Sequence, residues 1–218
     1  MPPLHFAGQD FAVAGGTALY WPSQAALIVA DLHLEKASWF AVRGQMLPPY
    51  DSHATLQRLS TLIAQTHARQ LWCLGDNFHD DGGEARLSNE ARHLLADLMA
   101  RCDWHWITGN HDEHLPPSAG GTIHEEVTIK GLVLRHQANA ADPRPELSGH
   151  FHPKYRAGAR GQSVSRPCFV ASATKLILPA FGAFTGGLSA DHPEIVAAAG
   201  LPAKALIPAG LRLLSFSL

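Results

Sequence analysis

Residues 26–33 read Ala-Leu-Ile-Val-Ala-Asp-Leu-His, residues 71–76 Leu-Trp-Cys-Leu-Gly-Asp, and residues 104–112 Trp-His-Trp-Ile-Thr-Gly-Asn-His-Asp. Each opens as a short apolar run and stops at a polar turn, a pattern that predicts a strand buried on both faces. Helical patterns lie between them. Over residues 53–70, Leu56, Leu59, Leu62 and Ile63 recur at spacings of three and four, behind Asp51 and Ser52 as cap candidates. Over residues 89–100, Leu94, Leu95, Leu98 and Met99 define a second inward face. Strand, turn and helix in repetition predict parallel strands with crossover helices, and in such open sheets ligands collect beyond the carboxyl ends of the strands.

Outward from this βαβαβ half, the chain turns β-rich. Residues 122–128 and 131–136 read as an antiparallel hairpin, and strand-like pieces follow near 146–149, 168–171, 176–178 and 211–216. The closing Leu-Arg-Leu-Leu-Ser-Phe-Ser-Leu reads as an internal strand, in preference to an edge strand or a pairing surface for another subunit. The proline- and glycine-rich stretch 179–187 reads as a loop. The expectation is one mixed α/β domain over residues 1–218.

Composition narrows the function classes. The 218 residues are 46% hydrophobic and 17% charged, which excludes a disordered chain. Apolar runs such as 25–30 and 196–201 fall far short of the ~20 residues a membrane-spanning helix needs. The first ten residues do not resemble a secretory signal. Cys73, Cys102 and Cys168 are odd in number, far apart and form no C-x-x-C pair, arguing against disulfides or a thiolate zinc site. A reducing cytoplasm is the expected compartment. The formal net charge is −2, but it is segregated: residues 76–126 hold eleven acids against three bases, while residues 147–190 hold Lys154, Arg156, Arg160, Arg166 and Lys175 and no acid. The second segment is a candidate anion-binding face, or surface charge segregated by chance.

Fourteen histidines nearly equal Lys and Arg together, and they fall in patterns. Asp31-x-His33, Gly75-Asp76 and Gly109-Asn110-His111-Asp112 stand at the three expected strand ends. The β-rich half adds His136 and Gly149-His150-Phe151-His152. Gly75, Gly109 and Gly149 each directly precede a candidate ligand, consistent with close backbone approach. Carboxylate, imidazole and amide donors without thiolate suit manganese first, with iron or zinc as alternatives. Asp31, His33, Asp76, Asn110, His136, His150 and His152 are too many for one tetrahedral ion and suit two divalent ions.

The ordered set D-x-H, G-D-x-x-H, G-N-H-D, H, G-H-x-H, spanning residues 31–152, resembles the five-motif signature of the calcineurin-like metallophosphoesterases. The resemblance implies a four-layer αββα sandwich of two mixed sheets flanked by helices. It implies one metal held by Asp31, His33, Asp76 and His152 and a second by Asp76, Asn110, His136 and His150. It further implies attack on phosphorus by a hydroxide bridging the two ions. His111, outside the implied ligand set, is the candidate to protonate the leaving alkoxide or to stabilise charge on the phosphoryl group. Asp112 is a candidate to orient His111, and His79 and Asp80 lie at the rim, each a candidate to support a metal ligand, to face substrate or to be merely loop polarity. Within the superfamily, the protein Ser/Thr phosphatases carry G-D-x-V-D-R-G where this chain reads Gly75-Asp76-Asn77-Phe78-His79-Asp80-Asp81. The lipid A precursor pyrophosphatases carry G-N-R-D at the third motif.

D-L-H-L-E-K at 31–36, G-D-x-F-H-D at 75–80, G-H-x-H-P at 149–153 and P-A-F-G-A-F-T-G-G-L at 179–188 resemble the bacterial ligase-associated metallophosphoesterases over roughly residues 20–190. That family's genomic company, a DNA ligase, a helicase and an exonuclease-like protein, implies a phosphodiesterase or endonuclease acting on single-stranded or damaged DNA in repair. The sequence pI of about 6.7 offers little non-specific grip on duplex. Phe181 and Phe184 are candidates for stacking on bases or for packing. A small-molecule or nucleotide phosphodiesterase is the alternative enzyme, and a non-catalytic scaffold the alternative class.

Overall fold

The computed structural model describes residues 1–114, 120–159 and 162–218. Its first sheet has seven strands in chain order: β1 (Pro3–Phe6), β2 (Gln9–Ala14), β3 (Ala18–Trp21), β4 (Ala26–Val29), β5 (Gln70–Leu74), β6 (Asp103–Ile107) and β7 (Thr122–His124). An antiparallel meander through β4 hands over to parallel pairing from β4 to β7. The crossovers carry α1 (Lys36–Ala41) and α2 (Asp51–Thr66), then α3 (Gly83–Arg86) and α4 (Asn89–Met99). The second sheet uses β8 (Glu126–Ile129), β9 (Leu132–Arg135), β10 (Glu146–Ser148), β13 (Phe169–Ala171), β14 (Lys175–Ile177), β15 (Lys204–Ala209) and β16 (Arg212–Ser217). Their order is β16-β15-β13-β14-β10-β9-β8, with β9, β10 and β14 parallel. Strands β11 (Lys154–Ala159) and β12 (Gln162–Pro167) form a separate hairpin, and α5 (Pro193–Ala199) is the last helix among the described residues.

Side-chain alternation builds the layers. Leu27 and Val29 of β4, and Leu71 and Cys73 of β5, pack with Leu56, Leu59 and Leu98 under α2 and α4. Their neighbours Ile28, Trp72 and Leu74 turn the other way, against Leu132, Leu134, Leu147 and Leu176 of the second sheet. The outer face of that sheet buries Val170 and Ile177 against Ile195 and Ala199 of α5. Helices, sheet, sheet and helix are the four αββα layers.

Several elements depart from the sequence expectation. Residues 122–128 are not one arm of a hairpin. β7 joins the first sheet beside β6, and only β8 pairs with β9, so the chain changes sheets at Glu125. The closing strand β16 is an edge strand, not an internal one. Asp51 and Ser52 do not cap α2. The Asp51 carboxylate accepts the Ala37 N–H at 2.9 Å, and the Ser52 hydroxyl accepts the Glu35 N–H at 2.8 Å, so both fasten α1 instead. Among the described residues, no helix is long and apolar enough to cross a membrane.

Candidate metal centre

Parallel β4, β5 and β6 in one sheet, and β9 and β10 in the other, end at the same edge of the sandwich. The turns that follow these strands therefore bring their polar side chains into one space. Asp31, His33, Asp76 and His152 bring one donor atom each within 4.8 Å of one another, as do Asp76, His136 and His150. Asp76 is common to both groups. Asn110 joins the second, its side-chain oxygen lying 2.9 Å from both His136 Nε2 and His150 Nδ1. All seven sequence candidates are thus brought together.

Local backbone strain and missing side chains permit this crowding. Asp31, His33, Asp76, His150 and His152 all take positive φ, between 44° and 73°. Gly109 has no such φ and is needed for space, because a Cβ there would lie 2.3 Å from the Asp76 backbone nitrogen and carboxylate. A Cβ on Gly149 would meet the Asp31 carboxylate at 2.6 Å, and one on Gly75 the His136 ring at 2.2 Å.

The donor chemistry tests whether cations fit. His136 Nδ1 faces the Leu74 carbonyl at 3.0 Å, and a carbonyl only accepts, so Nδ1 carries the proton and Nε2 presents a lone pair. That lone pair looks at Asn110 Oδ1, at His150 Nδ1 at 3.1 Å and at an Asp76 carboxylate oxygen at 3.4 Å. On the other side, His33 Nε2 lies 3.2 Å from His152 Nε2 and 3.7 Å from Asp76. Burial, reinforced by the charges of His152 and His111, pushes the His33 imidazolium far below its usual range. Burial likewise lowers His150, with His136 adding to the effect and Asp76 opposing it. Imidazole nitrogens and carboxylate oxygens converging on one space are a ligand set for divalent cations, and the residues fit such ions on both sides of Asp76.

His111 sits beside this set. Its backbone N–H donates to Asp76 at 3.1 Å, and its Nδ1 faces the His79 carbonyl at 2.9 Å, so Nδ1 carries the proton and Nε2 is left to exchange one. Asp112 does not orient it, contrary to expectation. The Asp112 carboxylate is buried and accepts backbone N–H groups from Asn77 at 2.8 Å, Gly109 at 2.9 Å and Phe78 at 3.2 Å, clamping the β5 and β6 turns together. Burial raises its pKa against those bonds. Of the alternatives open for His79, the structure places it against a candidate ligand. It is buried, its Nδ1 lies 3.4 Å from His33 Nδ1, and burial with the Lys36 and His111 charges lowers it to about 4. Its place in the polar turn after Asp76 carries no periodic signal; only the fold brings it behind His33. Asp80 pairs with Arg86.

The basic segment does not form a single face. Lys175 is buried, 3.2 Å from Glu146 and donating to the Asp142 carbonyl at 2.7 Å. Arg160 lies outside the described residues. Lys154, Arg156 and Arg166 belong to the β11–β12 hairpin.

Fold and site together define a metal-dependent phosphoester hydrolase. The chain belongs to the calcineurin-like phosphoesterase family, whose profile matches residues 26–158. Among solved structures it is similar to the nuclease MPE of Pseudomonas putida, at 30% identity and a TM-score of 0.75, covering 97% of this chain and 98% of that one. The E. coli phosphoesterase YfcE aligns at 14% identity and a TM-score of 0.42, over 88% of this chain and 98% of that one. No curated protein matches the chain.

Proposed function

We propose that the chain is a phosphodiesterase whose substrate is DNA, single-stranded or damaged, cleaved internally in a repair setting. The observation that carries the reading is the pair of donor clusters sharing Asp76 with His111 alongside, supported by the similarity to a protein described as a nuclease. Asp31, His33, Asp76 and His152 would hold one divalent ion, and Asp76, Asn110, His136 and His150 the other, with manganese the proposed metal. Such ions supply Lewis acidity, lowering the pKa of a water and neutralising charge on phosphoryl oxygens.

The protein's own groups do the rest. Both sheets contribute donors, so residues 1–218 are proposed to act as one unit. Leu74 and His79 fix the His136 and His111 tautomers through backbone carbonyls. His111 Nε2 would give a proton to the departing sugar oxygen. The Asn110 amide is a neutral donor that adds no negative charge beside an anionic substrate. A cytoplasmic setting, and association with a DNA ligase, a helicase and an exonuclease-like protein, belong to the same proposal and rest on the sequence resemblance alone.

The test is hydrolysis of bis-p-nitrophenyl phosphate and p-nitrophenyl phosphate by chelator-treated protein with Mn²⁺ restored, followed by covalently closed single-stranded and duplex DNA circles. Diesterase activity above monoesterase activity, with the single-stranded circle opened first, is the expected result. Preference for the monoester, or cleavage of nucleotides and no DNA, would replace the proposal with the small-molecule reading.

A further inference from the structure

The stretch 179–188, Pro-Ala-Phe-Gly-Ala-Phe-Thr-Gly-Gly-Leu, leaves β14 and crosses the open edge of the sandwich. It is stitched to the first-sheet turn, with Phe181 N–H donating to the Ala30 carbonyl at 2.8 Å and Gly182 N–H to the Asp31 carbonyl at 3.1 Å. A Cβ on Gly187 would lie 2.2 Å from the His152 carbonyl oxygen, so the loop also lies directly on the β10 turn. It forms a wall of the candidate metal centre, fixed from both sheets.

Its two phenylalanines, alike in sequence, have opposite fates. Phe181 is fully buried, with the Arg58 guanidinium over its ring at 4.3 Å, and is a packing residue. Phe184 is 48% exposed and holds φ at 56°, a left-handed conformation that is an outlier for a bulky side chain. Packing of its own ring does not account for that strain, and strain of this kind clusters at functional sites. Phe184 borders a cavity of about 280 Å³ whose lining also includes His152, Lys154, Pro167 and Thr185. His152 belongs at once to this cavity and to the Asp31 cluster. The Lys154 ammonium donates to the Thr185 carbonyl at 3.0 Å, and with three N–H groups it retains donors for an anion.

An exposed aromatic face and a cation beside one phosphodiester-cleaving centre match the two repeating parts of a single strand, base and phosphate. We infer that Phe184 and Lys154 form a nucleotide subsite next to the candidate metal centre, the ring stacking on the base adjoining the scissile phosphate and the ammonium holding a neighbouring phosphate. This rests on the DNA reading above and deepens it. Bases within a duplex already stack on each other and offer no free face, so the subsite selects unpaired strands.

The test compares kcat/KM for oligo(dT) with that for an oligonucleotide of the same length whose bases are replaced by abasic residues, using Mn²⁺-loaded wild type, Phe184→Ala and Phe184→Tyr. Wild type should favour oligo(dT) on the order of tenfold, mainly through KM. Phe184→Ala should lose that preference, and Phe184→Tyr should keep it. Preference unchanged in Phe184→Ala, or no preference in wild type, overturns the subsite while leaving the nuclease reading intact. Failure of wild type on both oligonucleotides, with bis-p-nitrophenyl phosphate still turned over, overturns the DNA reading and the subsite with it. A second readout needs no turnover. Photo-cross-linking of a 5-iododeoxyuridine oligonucleotide should label the peptide containing Phe184, and labelling confined to other peptides overturns the assignment.

Discussion

A left-handed backbone costs a non-glycine residue on the order of 1–3 kcal/mol, yet Asp31, His33, Asp76, His150 and His152 all adopt one. The turns hold because each is tied from elsewhere: the Asp31 carboxylate accepts the His150 N–H at 3.0 Å, and Asp112 clamps the neighbouring pair of turns. A small change of volume should therefore have a large local effect. Gly109→Ala would drive a Cβ into Asp76, and the expected outcome is loss of metal binding with the far-UV circular dichroism unchanged. Full metal content in that variant would show that the crowding around Asp76 is not required. His111 is different, because its ring converges with His33 and His79, outside the two groups that share Asp76, and its proposed part is to move a proton. His111→Ala should keep its metal content and lose about 10²–10⁴-fold in kcat, checked by steady-state hydrolysis of bis-p-nitrophenyl phosphate beside metal analysis.

Between β9 and β10, the second sheet carries a buried ion network next to His136. Glu146 is fully buried, 3.2 Å from the Lys175 ammonium and 3.4 Å from Arg135, which also reaches Asp142 at 2.6 Å. Removing the carboxylate leaves the buried Lys175 ammonium without its ion-pair partner, while Arg135 keeps Asp142 and Glu126, so Glu146→Ala should cost about 3–5 kcal/mol, read as a lower urea midpoint. A loss below about 1 kcal/mol would mean that Lys175 re-pairs or reaches water. The elements themselves are unequally legible in the sequence. β4, β5 and β6 are apolar runs that end abruptly in polar turns, and α2 and α4 have clear inward faces, so the sequence marks all five to within a few residues. The meander β1–β3, the short α1 and α5, and the β11–β12 hairpin carry weak periodicity and leave no comparable mark. The division of residues 122–129 between β7 and β8 follows from pairing with two different sheets, a tertiary choice that continuous alternation does not record. The cap reading of Asp51 and Ser52 fails because α1, separate in the sequence pattern but adjacent in space, offers their oxygens better-placed donors.

At the scale of the molecule, two sheets with parallel strands ending at one edge deliver donors to a shared space that neither sheet encloses alone. The candidate ligands are legible because they follow strand ends in fixed motifs; the position of His79 behind His33, the clamp made by Asp112 and the contrast between Phe181 and Phe184 depend on contacts across the fold. Charge follows the same logic. The basic count of residues 147–190 overstates the surface available to an anion, since Lys175 is buried against Glu146. The central claim is a paired metal centre that shares Asp76 and does not include His111. Its most direct test is metal content per chain, by elemental analysis, for wild type, Asp76→Asn and His111→Ala after reconstitution and removal of free metal. About two ions are expected in wild type and in His111→Ala, with a marked loss in Asp76→Asn. Equal content in wild type and Asp76→Asn, or an equal loss in both variants, would contradict it.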